Sequence, residues 1–231
     1  MQSQGIISID IKKIIVFIGV LLISLIAIHI VYEINLNNSS IDNLIRVACI
    51  GDSITYCGYP DKLQGDLGIN YTVRNFGVNS TTVLLNTELP YMYQFDFIRA
   101  KYFLPDIAIV MLGTNDARTD HFKSIENFIS DYSKLINELQ VLKNHPEIFL
   151  VLPPPIFPND FSLENENLVE GIIPRIEQIA NEKDLQIIDV YSALENHPEY
   201  FPDDGVHPNS DGTTVIANVV YDAIINFMEA S

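Results

Sequence analysis

The chain has 231 residues, of which 48% are apolar and 19% charged, and its formal net charge is −17. This composition supplies a sizeable core and excludes a largely disordered chain. The acidic balance makes nucleic acid a poor partner, because it repels phosphate backbones, and it disfavours broad adhesion to anionic lipid.

The first predicted element is a long apolar segment near the amino terminus. Residues 14–32, IIVFIGVLLISLIAIHIVY, carry no charged side chain. At ~1.5 Å rise per residue, a helix of this length nearly matches the ~30 Å hydrocarbon core of a bilayer. Lys12 and Lys13 precede the segment and Glu33 follows it. The positive-inside rule therefore places the amino end in the cytoplasm and the rest of the chain outside.

This segment divides the chain into four parts. We predict a cytoplasmic amino terminus over residues 1–13, a transmembrane signal anchor over residues 14–32 and a linker over residues 33–45. The extracytoplasmic domain then covers residues 46–231. A cleaved signal peptide with secretion of the domain is the alternative, although no small-x-small cleavage site follows Ala27.

The rest of the chain alternates between strand and helix patterns. The apolar runs that predict strands are Arg46–Ile50, Tyr71–Phe76, Ile107–Leu112, Ile148–Leu152 and Leu185–Val190. Helical spacing of apolar residues occurs over residues 92–103, 125–139, 168–179 and 215–227. Strands that are apolar throughout and separated by helices indicate a parallel sheet covered on both faces. The predicted fold class is therefore α/β, a three-layer sandwich around five parallel strands.

Four short motifs follow predicted strands or precede the last helix. Ser53 lies in GDSIT after the first strand, Gly77 in NFGVN after the second and Asn115 in GTND after the third. His207 lies in DGVHPN near the carboxyl end. Each motif alone has a structural explanation as a turn glycine or a helix cap. Together we expect them to lie at one edge of the sheet, beyond the carboxyl ends of the strands. Ligands of such sheets bind at that edge.

These residue types match the needs of acyl transfer. Ser53 supplies a nucleophile, His207 a general base, and Asp204 an acceptor that orients the imidazole. Backbone N–H groups of Ser53 and Gly77 and the side-chain amide of Asn115 supply donors for an oxyanion. Asp203 is an alternative orienting carboxylate, but its spacing to the histidine is less favourable.

The motifs resemble those of the SGNH hydrolases, also called GDSL esterases, rather than the G-x-S-x-G signature of α/β-hydrolases. Ser53, Gly77, Asn115 and His207 match that family's four letters in order, and the family's D-x-x-H element begins at Asp204. The resemblance implies a flavodoxin-like fold with no metal or cofactor. The second block departs from the family pattern, because Asn79 and Ser80 stand where many members carry a further glycine.

The resemblance also suggests a substrate. The stretches VLPPPIF and HPEYFPDDGVHPN are similar to the carbohydrate O-acetylesterase branch, which includes sialate O-acetylesterase-like proteins. We therefore expect a serine esterase acting on small-molecule or carbohydrate esters, most simply O-acetyl groups. The alternatives are a lysophospholipase or thioesterase for longer acyl chains, and a non-catalytic anchored binding protein. Cys49 and Cys57 have no spacing typical of a zinc site, and nothing in the sequence favours a disulfide between them.

Overall fold

The computed structural model describes residues 24–29 and 44–230. The chain divides into an amino-terminal unit, Met1–Leu44, and a larger unit, Ile45–Ser231. In the first unit, residues 24–29 are helical and have exposed side chains.

Membrane crossing is not seen in the described part of the chain, where no helix is both long and apolar enough to span a bilayer. The transmembrane segment predicted for residues 14–32 lies outside the described residues except for positions 24–29. The cytoplasmic terminus predicted for residues 1–13 and almost all of the linker predicted for residues 33–45 also lie outside them.

The larger unit is built on a sheet of five strands in the order β2-β1-β3-β4-β5. The strands are β1 Ile45–Gly51, β2 Tyr71–Gly77, β3 Ile107–Met111, β4 Glu147–Leu152 and β5 Gln186–Asp189. All four strand pairings are parallel. This order is the flavodoxin-like doubly wound topology. The predicted α/β fold with five parallel strands is therefore confirmed.

Alternate residues of each strand enter different cores on the two faces of the sheet. Ile50, Val110 and Leu150 belong to one buried cluster. Cys49 and Ile109 belong to the other. Because both faces are buried, the central strands read as continuous apolar runs rather than as alternating ones.

Helices form the two outer layers. They are α1 Ser53–Tyr56, α2 Tyr59–Leu67, α3 Phe95–Phe103, α4 Phe128–Gln140, α5 Ile173–Lys183, α6 Val190–Leu194 and α7 Ser210–Ala230. Residues of α3, α4 and α5 contribute to the cluster that contains Ile50. Residues of α2, α6 and α7 contribute to the cluster that contains Cys49.

Several predicted boundaries change in the structure. The helix predicted over residues 125–139 begins with a 3-10 segment, Phe122–Asn127, before the regular helix α4. The helix predicted over residues 168–179 begins with a π-helical segment, Asn167–Ile172, and Pro174 occupies the first turn of the regular helix that follows. Proline has no N–H and is tolerated in a first turn, which explains why the regular helix starts there.

Candidate active site

The turn after β1 presents Ser53 at the start of helix α1. Asp52 is the N-cap of this helix, and its Oδ1 accepts a hydrogen bond of 3.0 Å from the Ile54 N–H. Ser53 is therefore the first helical residue, a position whose N–H has no acceptor within its own helix. The Ser53 N–H is therefore left for a ligand, and Ser53 lines the cavity at this edge of the sheet.

The imidazole of His207 lies between Ser53 and Asp204. Its Nε2 is 2.8 Å from Ser53 Oγ, and its Nδ1 is 2.6 Å from Asp204 Oδ2. A carboxylate only accepts hydrogen bonds, so Nδ1 carries the hydrogen and Nε2 faces the hydroxyl with its lone pair. This is the arrangement in which an imidazole can take a proton from a serine. Asp203, the alternative orienting residue, is exposed.

The loop before helix α7 keeps Asp204 ionised. Its Oδ1 accepts from the N–H groups of Val206, at 2.9 Å, and of His207, at 2.8 Å. Partial burial acts to raise the pKa of Asp204, but these N–H groups and the His207 ring outweigh burial and lower it below its ordinary value. The carboxylate therefore remains charged opposite the imidazole.

The loop after β2 does not bring Gly77 to this site. The Gly77 N–H donates to Asn75 Oδ1 at 2.8 Å. A Cβ at position 77 would lie 2.3 Å from the backbone nitrogen of Tyr56, so close packing explains the glycine. Ser80 lies three residues on, has a φ of 62° and lines the cavity beside Ser53. This geometry favours Ser80 over Gly77 as an oxyanion donor.

The turn after β3 carries Asn115 to the same cavity. Gly113 has a φ of 125°, in a region open mainly to glycine, and a short 3-10 turn, Asn115–Ala117, follows it. One hydrogen of the Asn115 amide is donated to the Thr81 carbonyl at 3.0 Å. An amide nitrogen has two hydrogens, so the second remains for a ligand in the cavity.

The loops around Ser53 line an open cavity of about 410 Å³. Its polar lining residues include Ser53, Asn79, Ser80, Asn115, Arg118 and His207, and its other lining residues are Tyr56, Cys57, Phe161, Leu163 and Val206. The Phe161 ring meets the His207 ring edge to face at 6.3 Å. The cavity thus combines a nucleophile and donors with an apolar wall.

Two carboxylates lie beneath the site rather than in the cavity. Asp52 and Asp116 are both 0% exposed. Asp116 accepts from the N–H groups of Val83 and Leu84, each at 2.9 Å. Burial is the largest cause that raises the pKa of Asp52 to about 7 and that of Asp116 to about 6. Both groups support the strand-end turns that carry Ser53 and Asn115.

Sequence reasoning missed several residues around the cavity. Arg118 and His121 follow GTND by only a few positions, but no pattern in the sequence links them to the site. Phe161 lies in the irregular loop after β4, four residues beyond the VLPPPIF stretch, and no motif marks it. Cys49 is buried, Cys57 is exposed, and both are free thiols, so the structure contains no disulfide between them.

A serine, a histidine and an aspartate bonded in series at the carboxyl edge of a parallel sheet are the groups used by acyl-transfer enzymes. The profile of the GDSL-like lipase/acylhydrolase family matches residues 49–215. The chain therefore belongs to this family and is a carboxylic ester hydrolase, as the resemblance to SGNH hydrolases predicted.

A curated relative agrees with this assignment, and solved structures share the fold. An acetylxylan esterase of Xylanibacter ruminicola is 34% identical over 209 residues, which cover 79% of this chain and 44% of the relative. The chain thus spans less than half of that relative's length. Est24, a carbohydrate acetylesterase from Sinorhizobium meliloti, has a TM-score of 0.68 at 18% identity and covers 79% of this chain and 99% of its own. The acetyl xylan esterase AlAXEase has a TM-score of 0.64 at 24% identity, covering 78% and 100%.

Proposed function

We propose that this enzyme hydrolyses O-acetyl esters of carbohydrates through Ser53, His207 and Asp204. The observation that carries the proposal is the pair of contacts on one imidazole, 2.8 Å to Ser53 Oγ and 2.6 Å to Asp204 Oδ2. An inert surface protein on the same fold has no need of a serine, an imidazole and a carboxylate bonded in series beside an open cavity.

The reaction proceeds in two acyl transfers. Ser53 Oγ attacks the acetyl carbonyl while its proton passes to His207 Nε2, and Asp204 stabilises the resulting imidazolium. The tetrahedral intermediate then expels the sugar oxygen, which takes the proton from His207. Water next attacks the acetyl-serine, again giving its proton to His207. Collapse of the second intermediate returns the proton to Ser53 and releases acetic acid, which ionises to acetate.

Three neutral donors stabilise the oxyanion in both steps. They are the Ser53 N–H, the free hydrogen of the Asn115 amide and the Ser80 N–H, which takes the place first predicted for Gly77. No bond from the Ser80 N–H to another group occurs within residues 24–29 and 44–230. Donors that already point at the developing charge need no reorganisation during the reaction.

Substrate choice rests on the relatives and on the cavity. Acetylxylan and carbohydrate acetylesterases are among the matched proteins. The apolar wall of Phe161, Leu163 and Val206 suits a small acyl group, and the open, polar remainder suits a hydroxylated leaving group. The net charge of −17 acts against anionic lipids and fatty-acid products.

Hydrolysis of matched acetyl and octanoyl esters tests this choice. We expect a higher kcat/KM for the acetyl ester and release of acetate from acetylated xylan oligosaccharides. Ser53→Ala serves as the control for background hydrolysis. A higher kcat/KM for the octanoyl ester would instead support a lysophospholipase or thioesterase.

We also propose that residues 14–32 anchor the enzyme in a membrane and place its catalytic domain outside the cytoplasm. The support is the uncharged apolar run with Lys12 and Lys13 on its amino-terminal side. After expression of the full chain, we expect the enzyme in the membrane fraction at its full mass and sensitive to external protease. Recovery of a shortened chain in the medium would favour the secreted alternative.

A further inference from the structure

We propose that His121 is a positioning residue that holds the oxyanion donor Asn115 in place. The inference rests on the proposed function, since it assigns a partner to one of the groups used there. His121 is 8% exposed, and its Nδ1 lies 2.8 Å from the backbone oxygen of Asn115. A carbonyl oxygen only accepts, so Nδ1 carries a hydrogen and donates it.

The backbone oxygen of Asn115 depends on this bond, because its other hydrogen bond is long. The Arg118 N–H reaches the same Asn115 oxygen at 3.4 Å, whereas the imidazole reaches it at 2.8 Å. Hydrogen bonds from N–H to oxygen are most common at ~2.9–3.0 Å and weaken beyond ~3.2 Å. The Thr81 carbonyl thus holds the side chain of Asn115, and the His121 ring holds its backbone.

Arg118 fixes the tautomer of His121 that makes this bond. One guanidinium nitrogen lies 2.7 Å from His121 Nε2, and a guanidinium only donates. Nε2 of the neutral ring therefore accepts, and the ring hydrogen stays on Nδ1 facing Asn115. Asp120 holds the guanidinium at 2.6 Å and 2.9 Å, and also accepts from the His121 N–H at 3.0 Å.

The bond to Asn115 persists in both charge states of the ring. Glu88 Oε2 lies 2.9 Å from Nε2, so a protonated ring donates to Glu88 while Nδ1 still donates to Asn115. The hydrogen bond with His121 is the largest cause that lowers the pKa of Glu88, which keeps this acceptor ionised. Asp116 and Asp120 are the other acids whose charges interact with His121. The contact between His121 and Asn115 therefore does not require one particular charge state of the ring.

Two substitutions of His121 test the Nδ1–H donor separately from the rest of the imidazole ring. His121→Asn places an amide N–H near the position of Nδ1, whereas His121→Leu fills similar space without a donor. We expect His121→Leu to lower kcat ~10–100-fold with little change in KM, because a donor displaced by about 1 Å loses much of its effect. We expect His121→Asn to restore most of kcat and to keep the acid limb of the pH profile in place.

The matched control is His197, a partly exposed histidine whose Nδ1 also makes a hydrogen bond, to Glu199 at 2.8 Å. His197→Leu leaves kcat unchanged if the effect is specific to His121. Equal losses in His121→Leu and His121→Asn, or an acid limb moved by His121→Asn, would overturn the proposal. Thermal unfolding of each variant shows whether a loss of activity reflects a loss of folded protein.

A double-mutant cycle with Asn115→Ala shows whether His121 acts through Asn115. When the donor is absent, its positioning has no further effect, so His121→Leu is expected to lower kcat no more than about twofold in that background. A full, additive loss would contradict the inference. These assays use the ester that the unmodified enzyme hydrolyses fastest. If Ser53→Ala retains activity towards it, the proposed function fails, whatever the His121 variants show.

Discussion

The carboxylate beside the His207 ring and the two carboxylates beneath Ser53 differ in their surroundings. We call the first position the rim of the site and the second its floor. Asp204, on the rim, is half-buried, accepts two backbone N–H groups and has a lowered pKa. Asp52 and Asp116, on the floor, are fully buried, and burial raises their pKa to about 7 and about 6. Asp116 also accepts two backbone N–H groups, so donors alone do not keep a buried carboxylate acidic.

The difference separates two kinds of support for one serine. A carboxylate that stays ionised can stabilise an imidazolium, which is the role proposed for Asp204. A carboxylate that gains a proton readily is poorly suited to that task but can still cap a helix, as Asp52 does for α1. We thus assign proton transfer to the residues of the rim and support of the backbone turns to the carboxylates of the floor.

Loss of either reacting group on the rim is expected to have the largest effect. Ser53→Ala or His207→Ala should lower kcat at least ~10⁴-fold, since neither group can act without the other. Steady-state hydrolysis of an acetyl ester measures the loss. Ser130→Ala, which removes a hydroxyl that bonds to Asn127 and does not line the cavity, is the control. Residual activity above ~10% of the unmodified enzyme in Ser53→Ala would remove that serine from the mechanism.

Asp204 and its neighbour provide the next comparison. Asp204→Asn keeps the shape of the side chain but removes the charge, and we expect kcat to fall ~10²–10⁴-fold. Asp203→Asn makes the same change on an exposed residue and should stay within ~2-fold of the unmodified enzyme, as expected of surface sites away from the chemistry. Equal losses in the two variants would leave Asp204 without a special role.

Substitution of Asn115 tests the donors proposed for the oxyanion. Asn115→Ala should lower kcat ~10²–10³-fold, the usual effect of removing one oxyanion donor. The comparison is Asn79→Ala, which changes another asparagine of the cavity wall that is not assigned to the oxyanion. If Asn79→Ala lowers kcat more than Asn115→Ala does, the donor set must be redrawn.

Sequence reasoning reached the sheet and the order of the site motifs because these depend on local patterns. Apolar runs such as Ile107–Leu112 end at glycine or polar residues, and parallel strands direct those ends to one edge. The predicted strand Leu185–Val190 is shorter in the structure, because Val190 already begins helix α6. An apolar residue at a strand–helix junction fits either element, so its pattern cannot fix the boundary.

The parts of the site that were missed depend on contacts between distant segments or on backbone conformation. Ser80 has a positive φ, which is uncommon for serine and leaves no mark in the sequence. Gly77 carries the expected letter, but its N–H is used by Asn75, two residues away. His121 reaches Asn115 through a turn, and Phe161 reaches His207 from another loop. No periodicity reports such contacts.

The smallest effect on catalysis is expected at the floor, where stability is the more informative measurement. Asp52→Asn keeps an oxygen for the Ile54 N–H, so helix α1 retains its cap. The pKa of Asp52 is about 7 in the folded protein against an ordinary 3.8, so the folded state binds more protons than the unfolded state between these values. Asp52 therefore lowers the free energy of unfolding as pH rises from about 4 to about 7, by a few kcal/mol at most.

An asparagine has no such dependence, so the free energy of unfolding of Asp52→Asn should rise relative to the unmodified protein across that pH range. Urea denaturation at several pH values measures this difference directly, and other acids cancel because both proteins contain them. Asp203→Asn, at an exposed site, should give a curve parallel to that of the unmodified protein. A difference that is constant or that shrinks towards pH 7 would mean that Asp52 is ionised in the folded state like Asp204, and the contrast between floor and rim would fail.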